Sequence, residues 1–490
     1  MEKKSNENTQ LKKEKTRKLA LTVIFIISFL SFVLLAYILL KHSILPIKMR
    51  FAGIIVLIII YVILQILIST LRITKPKFTI IAIILILLLI LQAAIFIYVN
   101  KGLSIFHRIG QKQDTEEISY SLLVLKTSEY ESLESIGDTV VGAAMESDRK
   151  NVAKFIDKFN EENNLTLRIR EGGQYIQLAQ DLIASKQEII LFNEAYRSTV
   201  EDQIDDFAEK TRVLNETRVS TEKEGVYTKG VSNEEPFNLY ISGIDTYGSL
   251  SNVSRTDVNL LLTVNPKARK VLITSIPRDT YVRIPMGGND EFDKLTHSGI
   301  YGIETSIKTI ENFFDTPINY YARVNFNSLI KVVDVLGGIE VNNDRAFTAF
   351  DGKRFESGTI QLDGERALSF SRERKNLPGG DNDRGKNHIR VIEGIIKKAL
   401  SPSILFNYHG LMDEVYNSTD TNVGSSKLIE LINAQIEDNR EWTFESSAIE
   451  GSPRMDLPSH AMPGWKLYMM EPNQESVTNA KTMINEVLAR

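Results

Sequence analysis

The sequence predicts a mixed α/β protein carried on three N-terminal transmembrane helices, and three observations predict it. Three stretches near the N-terminus carry no charged residue over the width of a bilayer. Residues 111–232 alternate short β-like runs with helical ones. From Phe237 onward, short apolar runs suited to strands are followed by longer runs at helical spacing, the pattern of layered α/β architecture.

The spans come first. Residues 19–40, 51–71 and 78–100 contain no Asp, Glu, Lys or Arg. Each reaches the ~20 residues that a helix needs to cross the hydrocarbon. Lys18 and Lys41, Arg50 and Arg72, and Lys77 and Lys101 bracket them. A signal peptide would account for the first stretch alone, and that stretch lacks a small-residue cleavage site. The leader, residues 1–18, is rich in Lys and Arg and is expected to stay in the cytoplasm. Three crossings then place residues 101–490 outside the cell, in a multi-pass protein of the cell membrane. The spans hold few polar groups, Gln65 and Gln92 among them, and nothing ionisable. A transport pathway usually needs ionisable groups, so the spans read as an anchor.

Charge is divided unevenly. The chain of 490 residues has a net charge of −4 and no cysteine, which excludes disulfides, thiolate metal sites and a cysteine nucleophile. Residues 1–110 hold 15 Lys and Arg against 3 Glu, or +12, so the rest carries −16. Such an acidic part has the wrong field for nucleic acid, and no nucleic-acid partner is expected. A local basic pocket inside it would be a specific anion site.

Residues 111–232 are expected to form a small α/β accessory domain. Its strands fall at 119–126, 165–170 and 188–192, and its helices at 147–160, 174–185 and 193–212. The last is drawn from Phe192, Tyr196, Val200, Ile204 and Phe207 at helical spacing. The polar stretch 221–236, with Gly225, Gly230 and Pro236, reads as a linker. Residues 237–490 then form a second domain, with strands at 237–244, 257–265 and 270–276 and helices at 304–315 and 326–336. Another helix at 363–371 is capped by Asp363 and a further one covers 385–400. Strands at 441–448 and 466–470 and a helix at 474–489 close the chain.

Polar groups gather at the ends of these elements. Asp245 follows the first strand, Arg255 and Asp257 open the second, and Arg278 ends the third. Two residues apart, Arg255 and Asp257 face the same way in extended chain, and so would Arg372 and Arg374. Ligands of open α/β sheets gather outside the carboxyl ends of strands. Arginine is suited to a bidentate grip on phosphate oxygens, and carboxylate oxygens suit Mg2+, which takes one or two of them beside substrate phosphates. Together they fit a pyrophosphate with a divalent cation, although each dipeptide alone also fits a solvated salt-bridge network. Lys294, in DEFDKLTH, is either a phosphate contact or a plain surface lysine. His297 and His388 lack metal-ligand spacing, and no P-loop, Gly-x-Ser-x-Gly elbow or zinc motif is present. Apolar runs such as LLLTV and KVLITSI serve equally for an ordinary core or for a tunnel holding a lipid tail.

The runs GIDTYGSLSNVSRTDVNLLLTVNP, TSIPRDTYVRIP, DKLTH, GERALSFSRER and DNDRGKNHIRVI, in this order over residues 237–392, resemble the LytR–CpsA–Psr (LCP) family of Gram-positive bacteria. The likeness is greatest to capsule-type members with three spans and an accessory domain. The resemblance implies an α-β-α sandwich with a pocket for a polyprenyl chain. It also implies a phosphotransferase that moves a glycopolymer, here capsular polysaccharide, from a polyprenyl-pyrophosphate carrier to peptidoglycan through a phosphodiester. By motif, Asp245 and Asp257 correspond to Mg2+-associated carboxylates, and Arg255, Arg278, Arg372, Arg374 and Arg384 to pyrophosphate-contacting arginines. Asp381 falls in the acidic segment before Arg384. Asp257, Arg278, Arg372 and Arg374 are expected to act in catalysis. Arg255, Asp381, Arg384, His388 and Lys294 are expected to bind substrate. His388 stands where the family often has Gln, and its imidazole is expected to titrate near neutral pH. Competing readings are a membrane-bound regulator of gene expression, which the short leader without a helix-turn-helix disfavours, and a polyprenyl-pyrophosphate phosphatase or lipid-binding module.

Overall fold

The computed structural model describes residues 2–41, 47–109, 115–223, 235–244, 250, 252–401, 408–438 and 440–489. The chain divides into two compact units, residues 1–111 with 424–440, and residues 112–423 with 441–490.

The smaller unit holds three long helices, α1 (Glu2–Lys41), α2 (Ile47–Thr70) and α3 (Lys75–Ile109). Within them Thr9–Lys41, Ile47–Thr70 and Lys75–Asn100 are long and apolar enough to cross a membrane. One polar node ties the three together. The Tyr61 hydroxyl donates to the Ser28 carbonyl at 2.9 Å, lies 2.5 Å from Ser28 Oγ, and accepts from Gln92 Nε2 at 2.7 Å. In an apolar surround such bonds fix the register of helices that side-chain burial alone would let slide.

The larger unit begins with β1 (Thr115–Leu125), β2 (Val140–Ala143), α4 (Met145–Asn163), β3 (Arg168–Glu171), α5 (Tyr175–Ile183) and β4 (Ile189–Asn193). Two short helices follow, α6 (Arg197–Glu201) and α7 (Phe207–Lys210), and then β5 (Thr211–Glu222). The strands form a sheet in the order β3-β2-β4-β1-β5. Here the structure corrects the expected helix at 193–212. The helical run breaks, Asp206 adopts φ 62°, and Thr211 opens a strand that pairs antiparallel with the full length of β1. Residues 221 and 222 belong to that strand, while most of the expected linker, 224–234, lies outside the described residues.

The second sheet is built on β6 (Phe237–Gly243), β7 (Val258–Asn265) and β8 (Lys270–Ser275), an antiparallel meander. Next come β9 (Tyr281–Ile284), β10 (Glu291–Lys294), α8 (Ile303–Phe314), β11 (Tyr320–Val324), α9 (Phe326–Val335), β12 (Ile339–Asn343), β13 (Phe347–Thr348), β14 (Arg354–Phe355), β15 (Gly358–Leu362), α10 (Gly364–Arg372) and α11 (Asp381–Ala399). The chain closes with α12 (Tyr408–Ser418), β16 (Asp420–Thr421), α13 (Ser425–Asp438), β17 (Thr443–Ala448), β18 (Gly451–Arg454), β19 (Met469–Pro472) and α14 (Gln474–Leu488). The six-stranded order is β16-β11-β6-β7-β8-β17, with β6–β11 and β8–β17 parallel.

Alternation along the strands sends neighbouring side chains to opposite faces. Tyr240, Leu261 and Leu272 pack with Ile307 of α8 and Ile484 of α14. Ile241, Val258 and Leu260 turn the other way, toward α9, α10 and α11. Helices on both faces make an α-β-α sandwich. Segments flanking the second sheet pack on the first: Val253, Ile300, Ala461 and Met462 are buried with the β1 and β4 side chains, while Tyr240, Leu261 and Leu272 form a separate core.

Candidate functional site

The carboxyl ends of β6, β8 and β11 and the start of β7 lie at the same edge of the sheet, since β6, β8 and β11 run in one direction. The Asp257 backbone N–H bonds the Gly243 carbonyl at 2.8 Å, which seats its carboxylate at that edge. Arg278 arrives just past the end of β8 and donates to Asp257 Oδ1 at 2.8 Å. Thr296 Oγ1 donates to the same oxygen at 3.2 Å. Burial would raise the Asp257 pKa, but the charges of Arg255 and Arg278 outweigh it and hold the carboxyl below its ordinary range. The site therefore keeps Asp257 ionised and a poor base.

Around this carboxylate the cations crowd. Burial lowers the Arg384 pKa, Asp381 opposes that, and the neighbouring charges of Arg278 and Arg374 lower it again. Three guanidinium groups close enough to repel one another are stable together only beside negative charge. Asp381 pairs with Arg384. Nε of Arg255 and Nε of Arg278 are buried and make no hydrogen bond among the described residues, Arg278 Nε facing Asp279 Oδ2 at 3.8 Å, so both keep hydrogen-bonding capacity for an anion.

Beside the cluster lies a cavity of ≈ 180 Å³ between the sheet face and the helices α9 to α11. Its wall is mostly apolar, with Ile241, Leu260, Leu329 and Leu368, and Asp257, Arg372, Arg384 and His388 also border it. The apolar runs thus supply both a core, on the α8–α14 face, and a lined cavity on the other.

All the expected residues but Asp245 are described. Asp257, Arg278 and Arg384 converge, and Arg255 and Arg374 lie within electrostatic reach of them. Arg372 does not sit in extended chain beside Arg374. It is the last residue of α10, and its guanidinium lies 4.2 Å from the Phe326 ring and 5.3 Å from that of Phe350. Arg374 is exposed. Between them Glu373 is fully buried, and its carboxylate accepts from the backbone N–H groups of Phe350, Arg374 and Asn376. Arg255 donates to Asp202, which comes from the first sheet's side of the chain, at 2.8 Å. Lys294 pairs with Asp279 at 3.1 Å and so stands at the rim. Asp245 lies outside the described residues.

His388 departs from expectation. Burial, then the Arg384 charge, depress its pKa to about 3 although its ring donates to the Ser371 carbonyl. It is a neutral hydrogen-bonding group at the cavity, not a residue that titrates near neutrality. Sequence reasoning missed Phe326, Phe350, Glu373 and Asp202. Nothing in residue type alone marks an apolar ring as a guanidinium support or an acid as a buried brace.

The site thus joins an apolar cavity to a cluster of half-buried arginines. The LytR_cpsA_psr family model matches residues 196–483, and the chain belongs to that family. A second model, described as DNA polymerase processivity factor, matches residues 75–192, less than half of the chain. The chain is 38% identical over 216 residues to the polyisoprenyl-teichoic acid–peptidoglycan teichoic acid transferase TagU of Enterococcus faecalis, covering 44% of this chain and 70% of the relative. It is 32% identical over 260 residues to the same-named protein of Bacillus mycoides, covering 52% and 81%. The crystal structure of B. subtilis TagU matches with 30% identity over 52% of this chain and 97% of that one, at a TM-score of 0.41.

Proposed function

We propose that the protein transfers a glycopolymer from a polyprenyl-pyrophosphate carrier to peptidoglycan, with the larger unit outside the cell and the leader in the cytoplasm. The observation that carries this reading is the apolar cavity bordered by Asp257, Arg372 and Arg384, beside two buried guanidinium N–H groups that make no hydrogen bond among the described residues. The cavity suits the start of a lipid tail, and the arginines suit its pyrophosphate.

In the reaction an acceptor hydroxyl attacks the sugar-linked phosphorus. A new oxygen–phosphorus bond forms and the bond to the bridging oxygen breaks. Polyprenyl phosphate departs with the hydroxyl proton. Arg278 and Arg384 neutralise the charge that grows on the phosphoryl and leaving oxygens, and positioning with electrostatics does the rest. Asp257, with its depressed pKa, serves as a cation holder better than as a base. We assign it, with Asp245, to a Mg2+ ion. Among the described residues no group of three or more His, Asp or Glu could hold a metal; Mg2+ characteristically takes one or two carboxylates beside substrate phosphates, the number that Asp257 and Asp245 would supply. When bound, the ion supplies charge neutralisation at the phosphates.

The polymer is the finer point. The resemblance favours capsular polysaccharide, while the relatives' names point to teichoic acid. Vesicles holding the full chain, given either polymer on its lipid carrier together with purified peptidoglycan, with Mg2+ or with a chelator, test the reading. Polymer bound to peptidoglycan in a Mg2+-dependent manner is the expected result. Polymer released to solution would identify a phosphatase instead.

A further inference from the structure

A second pocket, outside the arginine cluster, has the chemistry of a sugar site. It measures ≈ 520 Å³ and is bordered by Gln174, Gln177 and Gln180 on one side and by Pro463, Gly464 and Trp465 on the other. Gln174 caps the start of α5 in extended backbone, and Gln177 and Gln180, three apart within the helix, are neighbours on its surface. Gln177 and Gln180 are exposed. Trp465 is partly buried, packed against the core beneath the first sheet, with the remainder open to the pocket. A pyranose ring has an apolar C–H face and a rim of hydroxyls. An indole face meets the first, and primary amides, with two donors and an acceptor each, meet the second.

The loop that carries Trp465 is held rigidly. Asp293, buried in the DEFDKLTH run, accepts from Ser459 Oγ at 2.8 Å and from the Ala461 N–H at 2.8 Å, and also pairs with His297 Nδ1 at 2.8 Å. Gly464 turns the chain at φ 83°, a conformation that side chains disfavour. The loop then runs directly to the reaction centre. The Met470 N–H bonds the Asp279 carbonyl at 2.8 Å, one residue from Arg278. Tyr468, 49% exposed, feels the charges of Asp279 and Asp381 in addition to burial. Tyr468 thus stands two residues from the contact that ties this loop to Asp279, beside Arg278.

We propose that Trp465, with Gln174 and Gln177, binds a glycan strand of the acceptor and that Tyr468 leads the strand to the phosphoryl centre. This rests on the transfer reading above, and it gives the region before Phe237 a role as part of the acceptor site.

The chain has two tryptophans, so Trp442→Phe leaves Trp465 as the sole indole reporter in the full chain. Titration of that protein in detergent with oligosaccharides from the peptidoglycan glycan strand should shift its emission saturably. Gln174→Ala with Gln177→Ala, two surface changes that leave the core intact, should weaken that response about tenfold. In transfer assays Trp465→Ala should raise the acceptor KM about tenfold without moving the donor KM, and Trp465→Tyr should recover most of the loss. No emission change, a response to donor-polymer oligosaccharides alone, or an acceptor KM indifferent to both Trp465 and the glutamines would overturn the subsite while leaving transfer intact. An emission response in a chain that never links polymer to peptidoglycan would overturn the transfer reading and leave the subsite standing.

Discussion

Asp257 is a buried acid kept charged by its neighbours, and the sign of that effect has consequences. Its folded pKa lies below the ordinary carboxylate value, with burial opposing and Arg255 and Arg278 prevailing. Its contribution to stability is therefore present above about pH 4 and is lost as pH falls through the folded value. Arg278→Ala removes the closest partner. Transfer should fall about 10²- to 10³-fold in initial-rate assays, and acid unfolding should begin at higher pH than in the parent. His388 carries a depressed pKa, about 3 against 6.5. The unfolded chain thus binds the extra proton between those values, and the stabilising contribution is complete above about pH 6.5 and shrinks toward pH 3. His388→Gln keeps a donor for the Ser371 carbonyl and cannot titrate. Melting temperatures measured from pH 7 to 4 should fall less steeply in that variant, while the pH–rate profile near neutrality stays as in the parent. The arginines were legible in the sequence because their chemistry is carried by the residue type. The state of His388 was not, because burial is a property of the folded surroundings.

Among the elements, the end of α10 sets where Arg372 points. Glu373 accepts three backbone N–H groups from inside the fold. Glu373→Ala strands those donors and frees the segment that carries Arg372 and Arg374. A loss of about 3 kcal/mol in denaturant unfolding, together with loss of transfer, is expected. In the apolar bundle, Tyr61→Phe removes the hydroxyl shared by Ser28 and Gln92 and should cost about 1 kcal/mol of helix association, readable by unfolding in detergent. Most strands and helices of the second sheet could be read from periodicity, since α8, α9 and α11 each bury one face. Strand β5 could not. Phe192, Tyr196 and Val200 imitate a helix, and what makes residues 211–222 a strand is β1, some ninety residues upstream. Likewise β11, YYARV, was hidden in an apolar run, with its parallel partner β6 far away in sequence.

At the scale of the whole molecule, the two sheets of the larger unit are joined through buried polar contacts and through loops of the second that pack on the first. Arg323 of β11, 2% exposed, donates to Glu116 of β1 at 2.6 Å, and Glu116 also accepts the Ile303 N–H at the head of α8 at 3.2 Å. Removing Glu116 leaves the buried Arg323 only the longer pair with Asp420, at 3.9 Å, and strands the Ile303 N–H. Glu116→Ala should therefore destabilise the larger unit by about 3–5 kcal/mol, and calorimetry should record both sheets melting in one transition. The break near 232–237 was read from a polar stretch, most of which lies outside the described residues. The central claim is that converging arginines beside an apolar cavity carry phosphoryl transfer from a lipid. Its most direct test gives the full chain, in vesicles, a lipid-linked glycopolymer labelled at the sugar-proximal phosphate, with peptidoglycan present. The label should appear in peptidoglycan, and Arg278→Ala and Arg384→Ala should each abolish it. Label that stays on the lipid or enters the solvent with the parent chain, or reaches peptidoglycan undiminished in both variants, would contradict the claim.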